Sequence, residues 1–170
     1  MNLKYKIRFL DFWHCSNGMS GGSKYDAGVL LDRVGIPFVP GKTIKGLARE
    51  FVFDKEFEEV CFGKEECEGV CHFCDAVLDK DEAYTIQKEN LQEFLKTFVS
   101  CTAIEENGRA KEGSLREIEV VIPLVLYGEI NNVPQDFVFL MQNALKSIKR
   151  IGLNRTRGLG RCEIIINEGI

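Results

Sequence analysis

Residues 35–50 combine turn-forming residues with the start of a predicted helix. Two prolines and two glycines interrupt the chain just before an apolar helical pattern begins. The polar residues that this stretch delivers to the first turns of the helix are Lys42, Thr43, Lys45 and Arg49. Unpaired amides at a helix N-terminus attract anions, and neighbouring cations add to that attraction. The stretch therefore predicts a phosphate-binding helix start, with a solvated basic face as the alternative.

A second candidate anion site lies near the other end of the chain. Residues 152–161 read Gly-Leu-Asn-Arg-Thr-Arg-Gly-Leu-Gly-Arg and so contain three glycines and three arginines. Glycine permits close approach of a backbone, and the guanidinium group offers a planar fork that matches two phosphate oxygens. This Gly/Arg loop (residues 152–161) therefore predicts a second surface for phosphate groups.

Four cysteines lie within fourteen residues, in a segment rich in glycine and glutamate. Their spacing is Cys61-x5-Cys67-x3-Cys71-x2-Cys74, and His72 falls inside the cluster. Four soft ligands at such spacing can close a tetrahedral zinc site, and the segment is too polar for a set of buried core thiols. We predict structural Zn²⁺ bound by the four cysteines, with His72 in place of Cys61 as the alternative.

Composition indicates an ordinary globular protein with an uneven charge distribution. The chain has 170 residues, 45% of them hydrophobic and 28% charged, which suits one domain. A net charge of −4 and a pI near 5.4 argue against a protein that coats nucleic acid by charge alone. However, six cations and no acid lie between Phe139 and Cys162. The C-terminal part of the chain is therefore suited to binding an anion.

The N-terminal sequence and the cysteines indicate the compartment. Met-Asn-Leu-Lys-Tyr-Lys-Ile-Arg alternates charged with apolar residues and lacks the apolar centre of a signal peptide. We therefore expect a cytoplasmic protein that does not associate with a membrane. In a reducing compartment, clustered cysteines favour metal binding over disulfides.

Hydrophobic periodicity predicts the elements that position these residues. Residues 3–9 alternate as a half-buried strand, and residues 14–28 form a glycine-rich loop. Thr43 is the predicted N-cap of a helix over residues 44–55, and a shorter helix is predicted over residues 88–97. The last helix is predicted to start at Pro134 and to continue until Gly152 stops it.

The remaining segments predict strands. Residues 97–104 and 117–130 are rich in β-branched side chains, and Asn107-Gly108 between them is a hairpin signal. Residues 161–166 form a last strand. The order of elements predicts an α+β domain of ferredoxin-like type with a β-hairpin extension.

Five motifs follow one another along the chain: Ile36-Pro-Phe-Val-Pro-Gly-Lys-Thr-Ile-Lys-Gly-Leu-Ala-Arg49, Cys61-Phe-Gly63, Asp75-Ala76, Gly113-Ser-Leu115 with Glu119, and Arg155-Thr-Arg-Gly-Leu-Gly160. In this order they resemble the RAMP superfamily of CRISPR-associated proteins. Each motif alone is weak, but their succession is specific and covers nearly the whole chain. Within the superfamily, the sequence is most similar to the backbone subunit of type III effector complexes.

This resemblance implies a single domain over residues 1–170 with an RRM-like palm that binds guide RNA. It also implies a β-hairpin thumb at residues 98–119, a zinc-bearing insertion at residues 60–76, and assembly with other copies and other effector subunits. The residues that would contact guide RNA are His14, Lys42, Thr43, Lys45, Arg49, Asn154, Arg155, Thr156, Arg157 and Arg161.

The resemblance further implies a catalytic residue in the glycine-rich loop. Catalytic backbone subunits carry an aspartate there, and Asp26, six residues before Asp32, has similar spacing ahead of the Ile36-Pro37 turn. Asp26 would bind Mg²⁺ or another divalent ion, or would position the attacking 2′-hydroxyl, for cleavage of complementary target RNA. The alternative is an aspartate that satisfies loop amides in an Asx turn.

Three functions follow from these expectations. The first is a guide-RNA-binding subunit with metal-dependent endoribonuclease activity on the paired target. The second is a RAMP subunit that only binds guide RNA and supports the complex. The third, ranked lowest, is a metal-independent guide-processing ribonuclease that uses His14 as its acid or base.

Overall fold

A computed structural model describes residues 1–19 and 27–166. Its strands are β1 (Leu3–Phe9), β2 (Gly63–Lys64), β3 (Cys67–Glu68), β4 (His72–Phe73), β5 (Lys96–Cys101), β6 (Arg116–Val121), β7 (Val125–Asn131) and β8 (Cys162–Ile166). Its α-helices are α1 (Gly41–Arg49), α2 (Lys55–Phe57), α3 (Lys80–Lys88) and α4 (Val138–Ser147). Short helical turns of other types span Glu58–Phe62, Gln92–Leu95 and Gln135–Phe137.

The main sheet has four strands in the order β4-β7-β1-β8, and every neighbouring pair is antiparallel. Helix α1 lies between β1 and β4 in the chain, and α4 lies between β7 and β8. This is the split β-α-β arrangement of a ferredoxin-like domain. The structure therefore confirms a mixed α and β fold built on an antiparallel sheet.

The alternation of β1 explains why one face of the sheet is covered and the other is open. Leu3, Tyr5, Ile7 and Phe9 are buried, whereas Lys4 and Arg8 are exposed. A period of two places all the apolar side chains on one face. Helices α1 and α4 contact each other and contribute Ile44 and other buried residues to the same core.

Strands β5 and β6 form a separate antiparallel pair from Lys96↔Val121 to Cys101↔Arg116. The predicted turn between them is present, with Gly108 at a φ of 79° and its amide 2.9 Å from the Glu105 carbonyl. The β-branched stretch 117–130, for which strands are predicted, contains two strands, β6 and β7. Pro123 interrupts the stretch, because proline has no N–H to donate to a ladder.

The helix predicted over residues 88–97 is reduced to a short 3₁₀ turn, Gln92–Leu95. Helix α3 ends at Lys88, Asn90 adopts a positive φ of 55°, and Lys96 already belongs to β5. The Asp79 carboxylate caps the start of α3 by accepting a hydrogen bond from the Asp81 amide at 3.0 Å. Aspartate followed three residues later by glutamate is a helix-start signal that the apolar stripe concealed.

Several helix boundaries differ from prediction, and one is the end of α1, which lies at Arg49 rather than at residue 55. Helix α1 begins at Gly41, so Thr43 lies inside the helix and is not its N-cap; the N-cap residue is Pro40. Helix α4 ends at Ser147, before the expected stop at Gly152. Within the part of the chain that the structure describes, no helix is long and apolar enough to span a bilayer.

Candidate nucleic-acid interface

The start of helix α1 is fixed by a residue from a distant part of the chain. Pro40 offers no side-chain cap, and the Gly41 amide instead donates a hydrogen bond of 2.8 Å to the Asp75 carboxylate. A Cβ at Gly41 would lie 1.9 Å from the Phe73 carbonyl oxygen, so only glycine fits against β4. Helix α1 therefore begins at a defined place on the sheet, and Lys42 and Thr43 follow at once.

The Gly/Arg loop is attached to the segment that leaves β1. The Leu153 amide donates to the His14 carbonyl at 2.8 Å, and the Gly160 amide donates to the Phe12 carbonyl at 2.7 Å. Gly152 has a φ of 99°, and a Cβ there would lie 2.2 Å from the His14 carbonyl oxygen. Glycine is thus required where the loop crosses residue 14.

The helix start and the Gly/Arg loop meet. A cavity of about 430 Å³ lies between them and is lined by Lys42, Thr43, Gly152, Arg155 and Glu50, among others. A second cavity of about 430 Å³ shares Lys42, Thr43 and Gly152 and extends towards residues 14–17. We call the two together the α1 groove. The structure therefore brings together residues that the sequence places near opposite ends of the chain.

The arginines of the Gly/Arg loop differ in their partners. Arg155 forms an ion pair with Glu50 at 3.1 Å, and Arg161 forms one with Asp11 at 3.1 Å. The Arg157 side chain is exposed, and its amide donates to the Asn154 carbonyl at 2.8 Å. Thr156 is exposed as well. Asn154 has a positive φ of 56°, which suits its place in the turn.

Lys45 and Arg49 lie on a different surface from Lys42. Together with Lys64, they line a cavity of about 510 Å³ against the cysteine-rich segment. The Arg49 guanidinium donates to the Glu58 carboxylate at 2.7 Å and to the Gly63 carbonyl at 3.4 Å. The predicted RNA-contacting residues therefore form two clusters, one on each side of α1.

His14 is fully buried rather than exposed. Its Nδ1 lies 2.6 Å from the Glu119 carbonyl oxygen, and its Nε2 has no hydrogen-bond partner within the described residues. The carbonyl fixes the imidazole in the tautomer that carries a proton on Nδ1. His14 thus contacts β6 through its ring and the Gly/Arg loop through its backbone carbonyl, and RNA contact by His14 stays a prediction.

Asp26, the predicted catalytic residue, lies outside the described residues, but both flanks of its segment are described. The Gly28 amide donates to the Met19 carbonyl and the Asn17 amide donates to the Gly28 carbonyl, each at 3.1 Å. Ser16 and Asn17 also line the α1 groove. The base of the glycine-rich loop therefore adjoins the groove that contains Lys42 and Thr43.

Glu119 connects that loop to the β5–β6 hairpin. One carboxylate oxygen accepts from the Val29 amide at 3.0 Å, and the other lies 3.2 Å from the Lys96 ammonium group. The Glu119 amide donates to the Ala27 carbonyl at 3.2 Å. Glu119 and Lys96 are largely buried, so this contact is shielded from solvent. It holds the residues directly after Asp26 against β6.

The cysteine cluster is not arranged as a closed donor set. Cys61 and Cys71 are buried with their thiols in contact, and burial raises the pKa of both. Cys67 is exposed on β3, and the Cys74 sulfur accepts a hydrogen bond from the side-chain Nδ2 of Asn131 at 3.3 Å. In residues 1–19 and 27–166, no three histidine, cysteine or acidic side chains are placed to hold a metal ion.

The cysteine positions therefore do not fit a four-cysteine zinc site as they stand, and zinc stays a prediction. His72, the alternative ligand, is exposed on β4 opposite Asn131. Gly69 permits the backbone of this segment to pass close to Cys61, since a Cβ at Gly69 would lie 2.4 Å from the Cys61 carbonyl oxygen.

Sequence reasoning missed the structural roles of three acidic residues. Asp75 and Glu119 stand in recognised motifs, but nothing local showed that they fix α1 and the glycine-rich loop. The pairing of Glu50 with Arg155 was not foreseen either. Residues four apart share a face of a helix, so Gly46 and Glu50 lie on one face of α1 and Lys45 and Arg49 on the next. This spacing is the sequence signal that could have distinguished the two clusters.

Comparison with known proteins places this geometry in a family. The model of the RAMP superfamily matches residues 6–163. The Cmr6 subunit of the CMR CRISPR system of Saccharolobus solfataricus is 36% identical over 64 residues, which cover 35% of this chain and 22% of that relative. The chain thus matches under a quarter of the length of this curated relative.

Two solved structures share the fold over nearly their whole length. One is a chain in the structure of type III-B Cmr-β bound to cognate target RNA; its TM-score is 0.75 and its identity 12%, over 98% of this chain and 97% of that chain. The second is a chain in the structure of type III-B Cmr-β in the apo state; its TM-score is 0.73 and its identity 12%, over 99% of this chain and 98% of that chain. The fold agrees with the family match, and the chain is a member of the RAMP superfamily.

Proposed function

We propose that this chain is a guide-RNA-binding subunit of a type III CRISPR effector complex, and that it acts in the cytoplasm beside other copies of itself and other effector subunits. The observation that carries the proposal is the α1 groove, where Lys42 and Thr43 meet the Gly/Arg loop. The family match and the Cmr relatives support the same class of complex.

The groove suits the backbone of RNA rather than its bases. The Lys42 ammonium group and the arginines of residues 155–161 favour phosphate oxygens. The backbone amides of Gly41 and Thr43 are already bound, to the Asp75 carboxylate and the Pro40 carbonyl, so the side chains supply most of the contacts. Base pairing between guide and target then supplies sequence specificity, so no side chain needs to read a base. The cluster of Lys45 and Arg49 on the next face of α1 would contact a neighbouring part of the same strand.

We further propose that the glycine-rich loop cleaves the guide-paired target, with Asp26 as its catalytic residue. Support comes from the base of the loop, which adjoins the α1 groove at Ser16 and Asn17 and is fixed to β6 by Glu119. A divalent ion such as Mg²⁺ would supply charge stabilisation there. The β5–β6 hairpin leaves from the same place and would serve as the thumb that distorts the duplex.

Cleavage is tested in the assembled complex with complementary RNA and Mg²⁺. The account predicts regularly spaced products that EDTA prevents, and their loss in Asp26→Asn with guide binding retained. Unchanged cleavage in Asp26→Asn removes the catalytic assignment and leaves a subunit that binds without cutting. Cleavage of precursor guide by the isolated chain in EDTA would instead support the His14-dependent processing ribonuclease.

Structural zinc remains part of the proposal for the cysteine-rich segment. Zinc binding would require Cys67 and Cys74 to join the buried pair Cys61 and Cys71, a rearrangement of an exposed segment. Metal analysis of the chain purified without a histidine tag tests this: less than about half an equivalent of zinc contradicts a closed site.

A further inference from the structure

The guanidinium group of Arg155 already holds an oxyanion in this structure. Its two terminal nitrogens face the two carboxylate oxygens of Glu50, at 3.1 Å for Nη2 to Oε1 and 3.5 Å for Nη1 to Oε2. This side-by-side geometry is the one in which a guanidinium fork binds a phosphate through two oxygens. The Glu50 carboxylate therefore occupies the position that a phosphate bound by Arg155 would take.

The negative charge of Glu50 does not stabilise helix α1, because of where Glu50 lies. Glu50 is the C-cap residue of α1, where the helix dipole presents its negative end. A carboxylate at that end is unfavourable unless a cation compensates it, and Arg155 supplies the cation. The pair lines the same cavity as Lys42, Thr43 and Gly152.

We propose that Glu50 is an internal substitute for phosphate, which the RNA backbone displaces from Arg155 when it enters the α1 groove. This inference rests on the proposed RNA-binding function and adds a determinant of affinity to it. The side chains of Arg155 and Glu50 are 42% and 51% exposed, so the pair is screened by water and readily exchanged.

Displacement leaves the Glu50 carboxylate unpaired beside a bound phosphate, so its charge weakens RNA binding. Glutamine has the same length and no charge. Glu50→Gln should therefore bind single-stranded RNA about two- to fivefold more tightly than wild type, the range set by an exposed ion pair. The added positive charge of the groove should also steepen the dependence of log K on log salt by about 0.7 for a single strand.

The experiment measures fluorescence anisotropy of a labelled mixed-sequence single-stranded RNA with the full chain, over a range of salt concentrations. Glu163→Gln is the matched control, because Glu163 also pairs with an arginine, Arg8, at similar exposure and outside the groove. The remaining variants are Arg155→Gln and the double variant Glu50→Gln with Arg155→Gln. Thermal unfolding of each variant confirms that it is folded.

The proposal predicts that Glu50→Gln raises RNA affinity more than Glu163→Gln does. It also predicts that Glu50→Gln no longer raises RNA affinity when Arg155 is already glutamine. Equal affinities of Glu50→Gln and the control overturn it, as does a gain that persists without Arg155. Weaker binding by Glu50→Gln also overturns it and would mean that Glu50 orients Arg155. If wild type and Arg155→Gln bind RNA equally, or if neither binds, the proposed function of this groove fails as well.

Discussion

The carboxylate of Asp75 caps helix α1 by accepting a hydrogen bond from the Gly41 amide, 34 residues earlier in the chain, at 2.8 Å. This contact joins the segment that follows β4 to the helix start that presents Lys42 and Thr43. It explains how a helix whose own N-cap is a proline acquires a fixed beginning. The position of the α1 groove depends on it.

Asp75→Ala should lower the free energy of unfolding by about 1 kcal/mol, the usual effect of losing an N-cap acceptor. RNA affinity should also fall, because the start of α1 loses its anchor on the sheet. Asp79→Ala is the control, since Asp79 caps α3 through the Asp81 amide at 3.0 Å. Urea denaturation and anisotropy titration should show similar destabilisation in both variants but weaker RNA binding only in Asp75→Ala.

Gly152→Ala should destabilise the chain and displace the Gly/Arg loop. Its φ of 99° disfavours any side chain by about 1–2 kcal/mol, and the new Cβ would in addition meet the His14 carbonyl oxygen at 2.2 Å. Gly158→Ala separates the two effects, because its φ of 95° is similar but nothing lies within 4 Å of its Cβ.

Thermal unfolding of the two alanine variants should place Gly152→Ala well below Gly158→Ala. Equal unfolding temperatures would show that the close crossing of the loop over residue 14 does not constrain the fold.

Glu119→Gln should lower the free energy of unfolding by about 3 kcal/mol, because it leaves the largely buried Lys96 ammonium without its main counter-charge. Adding Lys96→Met should recover part of the loss, which a double-mutant cycle on urea midpoints measures. Since the Glu119 carboxylate also binds the Val29 amide, target cleavage should fall more than guide binding. Equal losses of cleavage and binding would show that Glu119 does not affect cleavage through the glycine-rich loop.

Stability should decline at alkaline pH. Burial raises the pKa of the Cys15 and Cys162 thiols to about 12, whereas a thiol in the unfolded chain ionises near pH 8.5. The folded state thus favours the neutral thiol; this stabilisation is complete below the unfolded pKa and is lost as pH rises towards the folded one.

The measurement is the urea midpoint under reducing conditions at neutral pH and near pH 10, above the thiol pKa of the unfolded chain. Cys162→Ala should show a smaller alkaline decrease than wild type, although the variant is less stable at neutral pH. Cys101→Ala, at an exposed position, should keep the wild-type decrease. An unchanged decrease in Cys162→Ala would contradict the assignment.

The fold could be predicted from sequence where the pattern is local. The alternation of β1 and the apolar spacing of α4 lead directly to a half-buried strand and a packed helix. The predicted element boundaries are wrong where a single residue, rather than a repeating pattern, sets the end of a helix or strand. Asp75, far along the chain, sets the start of α1, and a single proline, Pro123, divides β6 from β7.

The candidate site was predictable in its residue types but not in its pairings. Lys42 and Arg155 could be selected as cations near glycines, and the structure places both at one cavity. The acidic partners of the loop arginines could not be read from spacing, because Glu50 reaches Arg155 and Asp11 reaches Arg161 only through the tertiary fold. His14 shows the same limit, since a loop histidine in the sequence is a buried contact to β6 in the structure.

The most direct test of the account is whether the chain carries RNA of discrete length. The chain is expressed with a CRISPR array, purified at moderate salt, and its nucleic acid is resolved on a denaturing gel, with Lys42→Gln/Arg155→Gln as the comparison. The account predicts guide-derived RNA of defined length with wild type and its loss with the double variant. The absence of RNA, or RNA of random length that both proteins retain equally, would contradict it.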